Sequence, residues 1–336
     1  MMLENSVATI ISLSCPLILM VIGETISERV GVINLSMEGS VMLAAMLGFA
    51  VAVITGSVLL GFICALLCGS TISAIIALFD VKFGMNQIVV GFILSMICIN
   101  LSNFLGQSYV NIPGPRIPSI NFGIMNEIPF LGKIIFSQNI LVIFSFLSVF
   151  ISWLFLFRTS AGLLLRSIGE NPEAAKMRGV NVNFYRFLYV TVGGAFIGLG
   201  GAAFSLHAKY GWSDSHTANF GWIALAIVIF EVALNAFSLF NHANIRLPEA
   251  WDKRVSTILV TQRLHRIHHS QAKQYSNTNY GFSVTWWDKL FNSFTSQSRV
   301  DDATFEIGQK DIPAVKENAS VLALLKQPFN HKPEGQ

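Results

Sequence analysis

The sequence predicts an all-α integral membrane protein: about seven transmembrane helices followed by a short α-rich cytoplasmic C-terminal tail. Three observations carry that reading. Of 336 residues 53% are hydrophobic and only 12% charged, against about a quarter charged in soluble domains. The apolar residues fall in runs near 20 long, the length that crosses a hydrocarbon core of about 30 Å. The charges are also unevenly placed: residues 1–240 carry ten Lys/Arg and ten Asp/Glu, whereas the last 96 residues carry twelve and nine. The first part has too many apolar runs for one soluble core, while the second has an ordinary soluble composition. A net charge of +3 points to no nucleic-acid partner.

Taken in order, the expected spans are 5–23, 37–56, 57–79, 87–105, 138–157, 187–207 and 218–240. The N-terminal run lacks a basic leader and carries Glu4, so it reads as a retained span and not a signal peptide. The stretch 37–79 is broken only at Gly56-Ser57. It is expected to form a helical hairpin, because backbone groups in lipid must be satisfied within each segment. The 158–186 loop holds Arg158, Arg166, Lys176, Arg178 and Arg186, whereas the 106–137 loop holds Arg116 and Lys133. The excess places the first loop, the 24–34 link and the tail in the cytoplasm, and the N-terminus outside. Pro113, Gly114, Pro115 and Pro118 make the outer loop an irregular connection. Cys15, Cys64, Cys68 and Cys98 lie in apolar runs and read as small hydrophobes.

Two polar stretches interrupt this pattern. The first, over 23–39, reads Gly-Glu-x-x-Ser-Glu-Arg-x-Gly-Val-x-Asn-Leu-x-x-Glu-Gly and contains Glu24, Ser27, Glu28, Arg29, Asn34, Glu38 and Gly39. Taken alone it suits an interfacial loop with Glu28 and Arg29 at headgroup level. The second comprises Gly169, Glu170, Asn171, Pro172, Glu173, Ala174, Ala175 and, after three residues, Gly179. Asn171 reads as an N-cap, Pro172 as the first helical residue, Glu173 as an acid in the first turn and Gly179 as the stop. A short capped helix or a solvated amphipathic linker both satisfy that pattern.

Together the two stretches resemble the permease subunits of bacterial ABC importers for nucleosides and simple sugars. The resemblance implies that 169–180 is the coupling helix that docks into a cytoplasmic ATPase. Its implied partners are that ATPase, a second permease subunit and an extracytoplasmic solute-binding protein, with membrane lipid around the helices. The implied location is the bacterial inner membrane, and no cofactor is implied. Gly193, Gly194, Gly198, Gly200 and Gly201, with the Gly221-Trp222-Ile223-Ala224 run, look like the same family. Small residues at such spacing also serve plain helix packing.

From about Glu231 the words change. His242 stands in Asn-His-Ala-Asn-Ile-Arg-Leu-Pro, and His265, His268 and His269 form an HxxHH box followed by Asn-Tyr-Gly-Phe and Trp-Trp-Asp-Lys-Leu-Phe. Helical spacing puts His265 beside His268 and His269, so one face can present two or three imidazoles to a transition metal. These words resemble the C-terminal third of the fatty acid hydroxylase/sterol desaturase superfamily of membrane di-iron enzymes. That resemblance implies iron-ligand roles for His242, His265, His268 and His269. The family's earlier histidine boxes are absent; His207 and His216 match neither, so iron is expected only if the set is completed in another way.

The chain therefore reads as 1–230, a permease-like transmembrane domain lacking the family's later spans; 231–300, a hydroxylase-like fragment; and 301–336, a polar, flexible tail. The join falls inside the seventh span, which leaves Glu231 at membrane depth as an accident of joining. The expected function is that of an ABC-importer permease subunit for nucleosides or simple sugars, impaired to whatever extent the fusion disturbs packing. The alternatives are a di-iron hydroxylase/desaturase-like enzyme and a chimera with neither activity.

Overall fold

The computed structural model describes residues 2–120, 132–243 and 247–296, with positions 123, 126, 128, 245 and 307. The expected tail at 301–336 thus lies outside the described residues apart from Ile307. Among the described residues, seven helices are long and apolar enough to cross a membrane: α1 (Met2–Arg29), α2 (Met37–Thr55), α3 (Val58–Phe83), α4 (Gln87–Gly106), α5 (Ile140–Arg158), α8 (Val182–Ala203) and α9 (Phe220–His242). Between α5 and α8 lie two short helices, α6 (Ser160–Glu170) and α7 (Pro172–Met177). The chain beyond α9 forms α10 (Glu249–Val255), α11 (Gln262–His268), α12 (Lys273–Ser276) and α13 (Trp286–Leu290). The protein is an all-α, multi-pass membrane protein.

Local sequence explains most boundaries. Gly56 closes α2 at φ 68° and the Ser57 hydroxyl accepts from the Leu60 amide to open α3, which is the break within 37–79. Asn86, Asn139, Thr159 and Asn181 cap α4, α5, α6 and α8 in the same way. Because Asn181 caps α8, that helix begins at Val182, five residues before the expected 187. The loop reading of 158–186 is also corrected: α6 occupies its first third, with Leu165 and Ile168 fully buried.

The first helix departs most from expectation. Instead of yielding to an interfacial loop at Gly23, α1 continues to Arg29, and Glu24 and Ser27 are fully buried. The chain then turns back along the same helix. The Val32 amide donates to the Ser27 carbonyl at 3.0 Å and the Asn34 amide to Glu24 Oε1 at 2.9 Å. Gly31 makes that reversal at φ 90°, a conformation open to glycine. As a result α2 begins against Ser95, about two turns into α4, and not level with its end.

Contacts divide the chain into two units, residues 1–229 and 230–336. In the first, α8 is the central helix. Gly193 lies on Gly23 of α1, Gly194 and Gly198 lie on Gly69 and Ala65 of α3, and Gly201 lies on Val41 of α2. A Cβ at these glycines would overlap a carbonyl oxygen of the facing helix or the Ser27 and Ser73 hydroxyls, so the small residues set how closely the helices approach. The outward residues of α4 and α5 are large and apolar, among them Phe92, Ile97, Phe104, Leu147 and Phe150, as a lipid-facing surface requires.

The second unit has a small core of Val260, Leu264, Ile267 and Tyr275. Buried polar side chains hold its turns. The Asp288 carboxylate accepts from the Tyr280 and Gly281 amides, each at 2.8 Å, and from the Ser293 hydroxyl at 2.6 Å. Asn279 donates to the Leu264 and Thr295 carbonyls and accepts from the Thr295 amide. Asn241 donates to the Phe282 carbonyl at 2.6 Å. These bonds account for the Asn-Tyr-Gly-Phe and Trp-Trp-Asp words as structural fasteners beside α11.

Candidate functional site

The first polar stretch forms a buried network. Besides its bond to Glu24, Asn34 donates from Nδ2 to the Ser73 hydroxyl of α3 at 2.9 Å. Its Oδ1 accepts from the Ser36 amide and hydroxyl at 3.0 and 2.6 Å. The Ser36 and Ser40 hydroxyls bond at 2.8 Å, and the Gly39 amide donates to Ser95 of α4 at 3.1 Å. The first turn of α2 is thereby met by the Asn34–Ser36 turn and by Ser95, in a network that reaches α1, α3 and α4, as an N-terminus inside a membrane demands. Glu38 reaches a fourth: Oε1 accepts from the Thr217 hydroxyl at 2.6 Å and Oε2 from the Gly221 amide at 2.8 Å. A carboxylate at the first turn of α9 is also favoured by that helix's dipole.

The second polar stretch is built as its residues suggest. The Asn171 side chain accepts from the Ala174 amide at 2.9 Å, Pro172 opens α7, and Gly179 ends the turn at φ 82°. Only Ala175 of α7 is buried, while Met177 is 88% exposed. Gly169, at the end of α6, lies on the Arg29 carbonyl and the Gly31 amide. Arg186 of α8 bonds ionically to Asp80 of α3 at 3.5 Å and packs beside Gly31. The two stretches, 130 residues apart in sequence, are therefore one assembly at one end of α1.

In the second unit, three of the four expected metal ligands converge. Ligand atoms of His242, His265 and His269 lie within 4.8 Å of one another. The Nε2 of His265 is 3.1 Å from that of His242 and 3.0 Å from that of His269. His268 is not in the triad: its Nδ1 faces the Thr278 carbonyl at 3.0 Å. Burial, then the His269, His242 and His268 rings, push the His265 imidazole down to about 4. Burial and the His268 and His242 rings lower His269 as well.

Comparison with known proteins matches residues 6–240 to the family described as branched-chain amino acid transport system / permease component. The chain belongs to this permease family. It is 35% identical over 218 residues to a putative glucose ABC transporter permease of Haloferax volcanii, covering 64% of this chain and 66% of the relative. It is also 35% identical over 240 residues to a nucleoside ABC transporter permease of Lactococcus lactis, covering 68% and 75%. The chain thus spans 66% and 75% of those relatives' lengths. Residues 202–293 match a second family, fatty acid hydroxylase. There the chain is 32% identical over 109 residues to an ornithine lipid hydroxylase of Rhizobium tropici, covering 32% of this chain and 30% of the relative. No solved structure matches.

The two matched ranges overlap over 202–240, so the second match begins well before residue 231. The overlap contains His207 and His216, but both rings are engaged elsewhere in the permease unit. His207 bonds Asn139 and Ser12, and His216 bonds Ser213 and the Lys209 carbonyl. His331 lies outside the described residues. The convergent set contains no carboxylate, so among the described residues the donors do not fit two iron ions.

Several residues of the permease network escaped the sequence reading. Ser73, Ser95 and Thr217 look like incidental polar residues in apolar runs; their role appears only once Asn34, Gly39 and Glu38 are placed against them. Asp80 carried no signal beyond being an acid at the end of a span. Glu231, assigned to the accident of joining, is exposed on α9.

Proposed function

We propose that residues 1–229 form the translocating subunit of an ABC importer for nucleosides or simple sugars, and that 169–180 docks into its cytoplasmic ATPase. The observation that carries this reading is the build of α7. It is a short helix, capped by Asn171 and opened by Pro172, that presents Glu173, Lys176 and the 88% exposed Met177 outward. Through Gly169 it rests on the turn that leads into the buried α2 network. An exposed methionine on a capped surface helix suits a groove in a partner, because its unbranched, polarisable side chain adapts to the surface it meets. A second permease subunit and an extracytoplasmic solute-binding protein complete the proposed assembly. The nucleoside and sugar classes come from what the relatives are named for.

The proposed orientation places α7 in the cytoplasm and the 106–137 connection outside, following the excess of basic residues in 158–186. Cysteines introduced at Lys176 and Asn111 should label from opposite sides of intact cells; labelling of both from outside would refute it. Docking is tested with Met177→Asp, whose side chain is free of the core. Co-purification with a nucleoside-importer ATPase and transport-stimulated ATP hydrolysis should fall together while the thermal midpoint stays unchanged. Unaltered coupling would refute the docking role.

A further inference from the structure

We propose that the second unit binds one divalent transition-metal ion on the Nε2 atoms of His242, His265 and His269, with a fourth position open, in place of the two-iron centre that its resemblance implies. The argument starts from protons. A neutral imidazole has one N–H and one lone pair. His242 Nδ1 lies 2.8 Å from the Ser238 carbonyl, an acceptor only, so Nδ1 carries the proton and Nε2 offers its lone pair. That lone pair faces His265 Nε2 at 3.1 Å, and His265 Nε2 also faces His269 Nε2 at 3.0 Å. If His265 Nε2 is protonated it can donate along only one of those lines. If it is not, two lone pairs face each other along the His242 line. No arrangement of protons on neutral rings uses both contacts fully, whereas one cation at the common point uses three lone pairs together.

The geometry suits such an ion. Tetrahedral zinc with Zn–N bonds of about 2.0–2.1 Å sets its nitrogens about 3.3–3.4 Å apart. The two short separations are within a few tenths of an ångström of that value, and the third pair also lies within 4.8 Å. The Ser238 carbonyl gives His242 the outer partner that metal-bound imidazoles commonly have. Ligand type selects the metal: three imidazoles without a carboxylate favour zinc, cobalt, nickel or copper over magnesium or calcium. Three donors hold one ion and not two. His268 is turned to Thr278 and stands outside the set, although it is in the same sequence box.

The site has a structural consequence within its unit. His242 ends α9, His265 lies on α11 and His269 is the C-cap of α11. An ion bound to all three clips α11 to the end of α9 across the intervening chain, and metal affinity then adds directly to the stability of that closure.

The test uses the full chain in detergent, stripped with a chelator and titrated with Co(II) and then Zn(II). We expect one Co(II) per chain, with the visible absorption of tetrahedral nitrogen coordination, displaced by one Zn(II). His242→Ala, His265→Ala and His269→Ala should each weaken Co(II) binding at least tenfold, whereas His268→Ala should leave it within twofold. Each variant is compared for elution volume and helical content, and His268→Ala controls for damage to α11. Two metal ions per chain, no retained Co(II) in a wild-type chain of normal helical content, or equal losses for His268→Ala and His265→Ala would overturn the proposal.

Discussion

The Cα of Gly169 rests on the backbone of Arg29, so close that a Cβ at position 169 would overlap the Arg29 carbonyl oxygen. This contact is where the surface motif and the buried motif meet. On one side of it α6 leads directly into the Asn171-capped helix. On the other, two residues after Arg29, the chain reverses at Gly31 and runs through Asn34 into the first turn of α2. The contact between the two motifs is therefore backbone on backbone, and the turn it touches leads to a helix start that is tied to α3, α4 and α9. Tightly packed elements of this kind shift between discrete arrangements and do not deform smoothly.

Gly169→Ala should consequently cost more than an ordinary surface change. Overpacking against backbone destabilises by about 1–3 kcal/mol, and the thermal midpoint of the purified permease should fall by several degrees. Gly179→Ala is the contrast. Gly179 sits at φ 82° with nothing within 4 Å of its added Cβ, so the cost is only the strain of a left-handed alanine, about 1–2 kcal/mol, and it falls on an exposed turn outside the core. Equal midpoints for Gly169→Ala and wild type would contradict the contact.

Asn171→Ala should remove the one side-chain bond that caps α7, to the Ala174 amide. Loss of an N-cap costs about 1 kcal/mol, and in a six-residue helix that is enough to fray the whole element. The global midpoint should hardly move, because five of the six residues in α7 are not buried. Coupled ATP hydrolysis should drop severalfold and recover with Asn171→Ser. A parallel loss of global stability would mean that the residue acts on the core and not on the proposed docking helix.

What the sequence made legible, and what it did not, follows from the range of the interactions. Gly56-Ser57, Asn171-Pro172 and Gly179 act within four residues, and each is found where its local chemistry puts it. The seven spans were likewise readable from length and apolarity. The 23–39 stretch was not, because its polar residues suit an interfacial loop until long-range partners are known. Ser73 and Ser95 are the partners that make burial of Asn34 and the start of α2 tolerable. The histidines show the same division. Spacing within the box put His265 beside His269 and the resemblance added His242, but only the fold turns His268 away.

Glu24 and Glu38 should respond in opposite ways to Gln. Glu38 accepts one bond at each oxygen, from Thr217 and from Gly221. Glu38→Gln must therefore turn an amide N–H₂ toward one donor, losing a bond of about 1.5–3 kcal/mol for a charged acceptor. Glu24 accepts from Asn34 at Oε1 alone, and its buried Oε2 has no hydrogen-bond partner among the described residues. Glu24→Gln keeps the bond that exists and puts a neutral group where burial disfavours a charge. Its midpoint should equal or exceed that of wild type, whereas Glu24→Ala and Glu38→Gln should both fall. A lower midpoint for Glu24→Gln than for Glu38→Gln would show that Glu24 has an acceptor role at both oxygens.

His216 should make the permease unit less stable as pH falls. It is 1% exposed, packed edge-on to Phe204 and tilted against Trp212, outside the spanning helices. Burial first, then the Lys209 ammonium, push its imidazole from the ordinary 6.5 down to about 4. Between those values the unfolded chain binds a proton that the folded chain refuses, so the unfolding free energy increases with pH across this window. The stabilising difference is fully present above about pH 6.5. It is lost progressively as pH falls toward 4, by at most about 1.4 kcal/mol per pH unit. Carboxylates titrate in the same range, so the slope of the wild type alone does not isolate the ring. His216→Gln cannot take up a proton, and its midpoint should change less than that of wild type between pH 7 and 5, even if it starts lower. Parallel midpoint-against-pH curves for the two proteins would show that His216 is protonated as readily in the folded state as in the unfolded one.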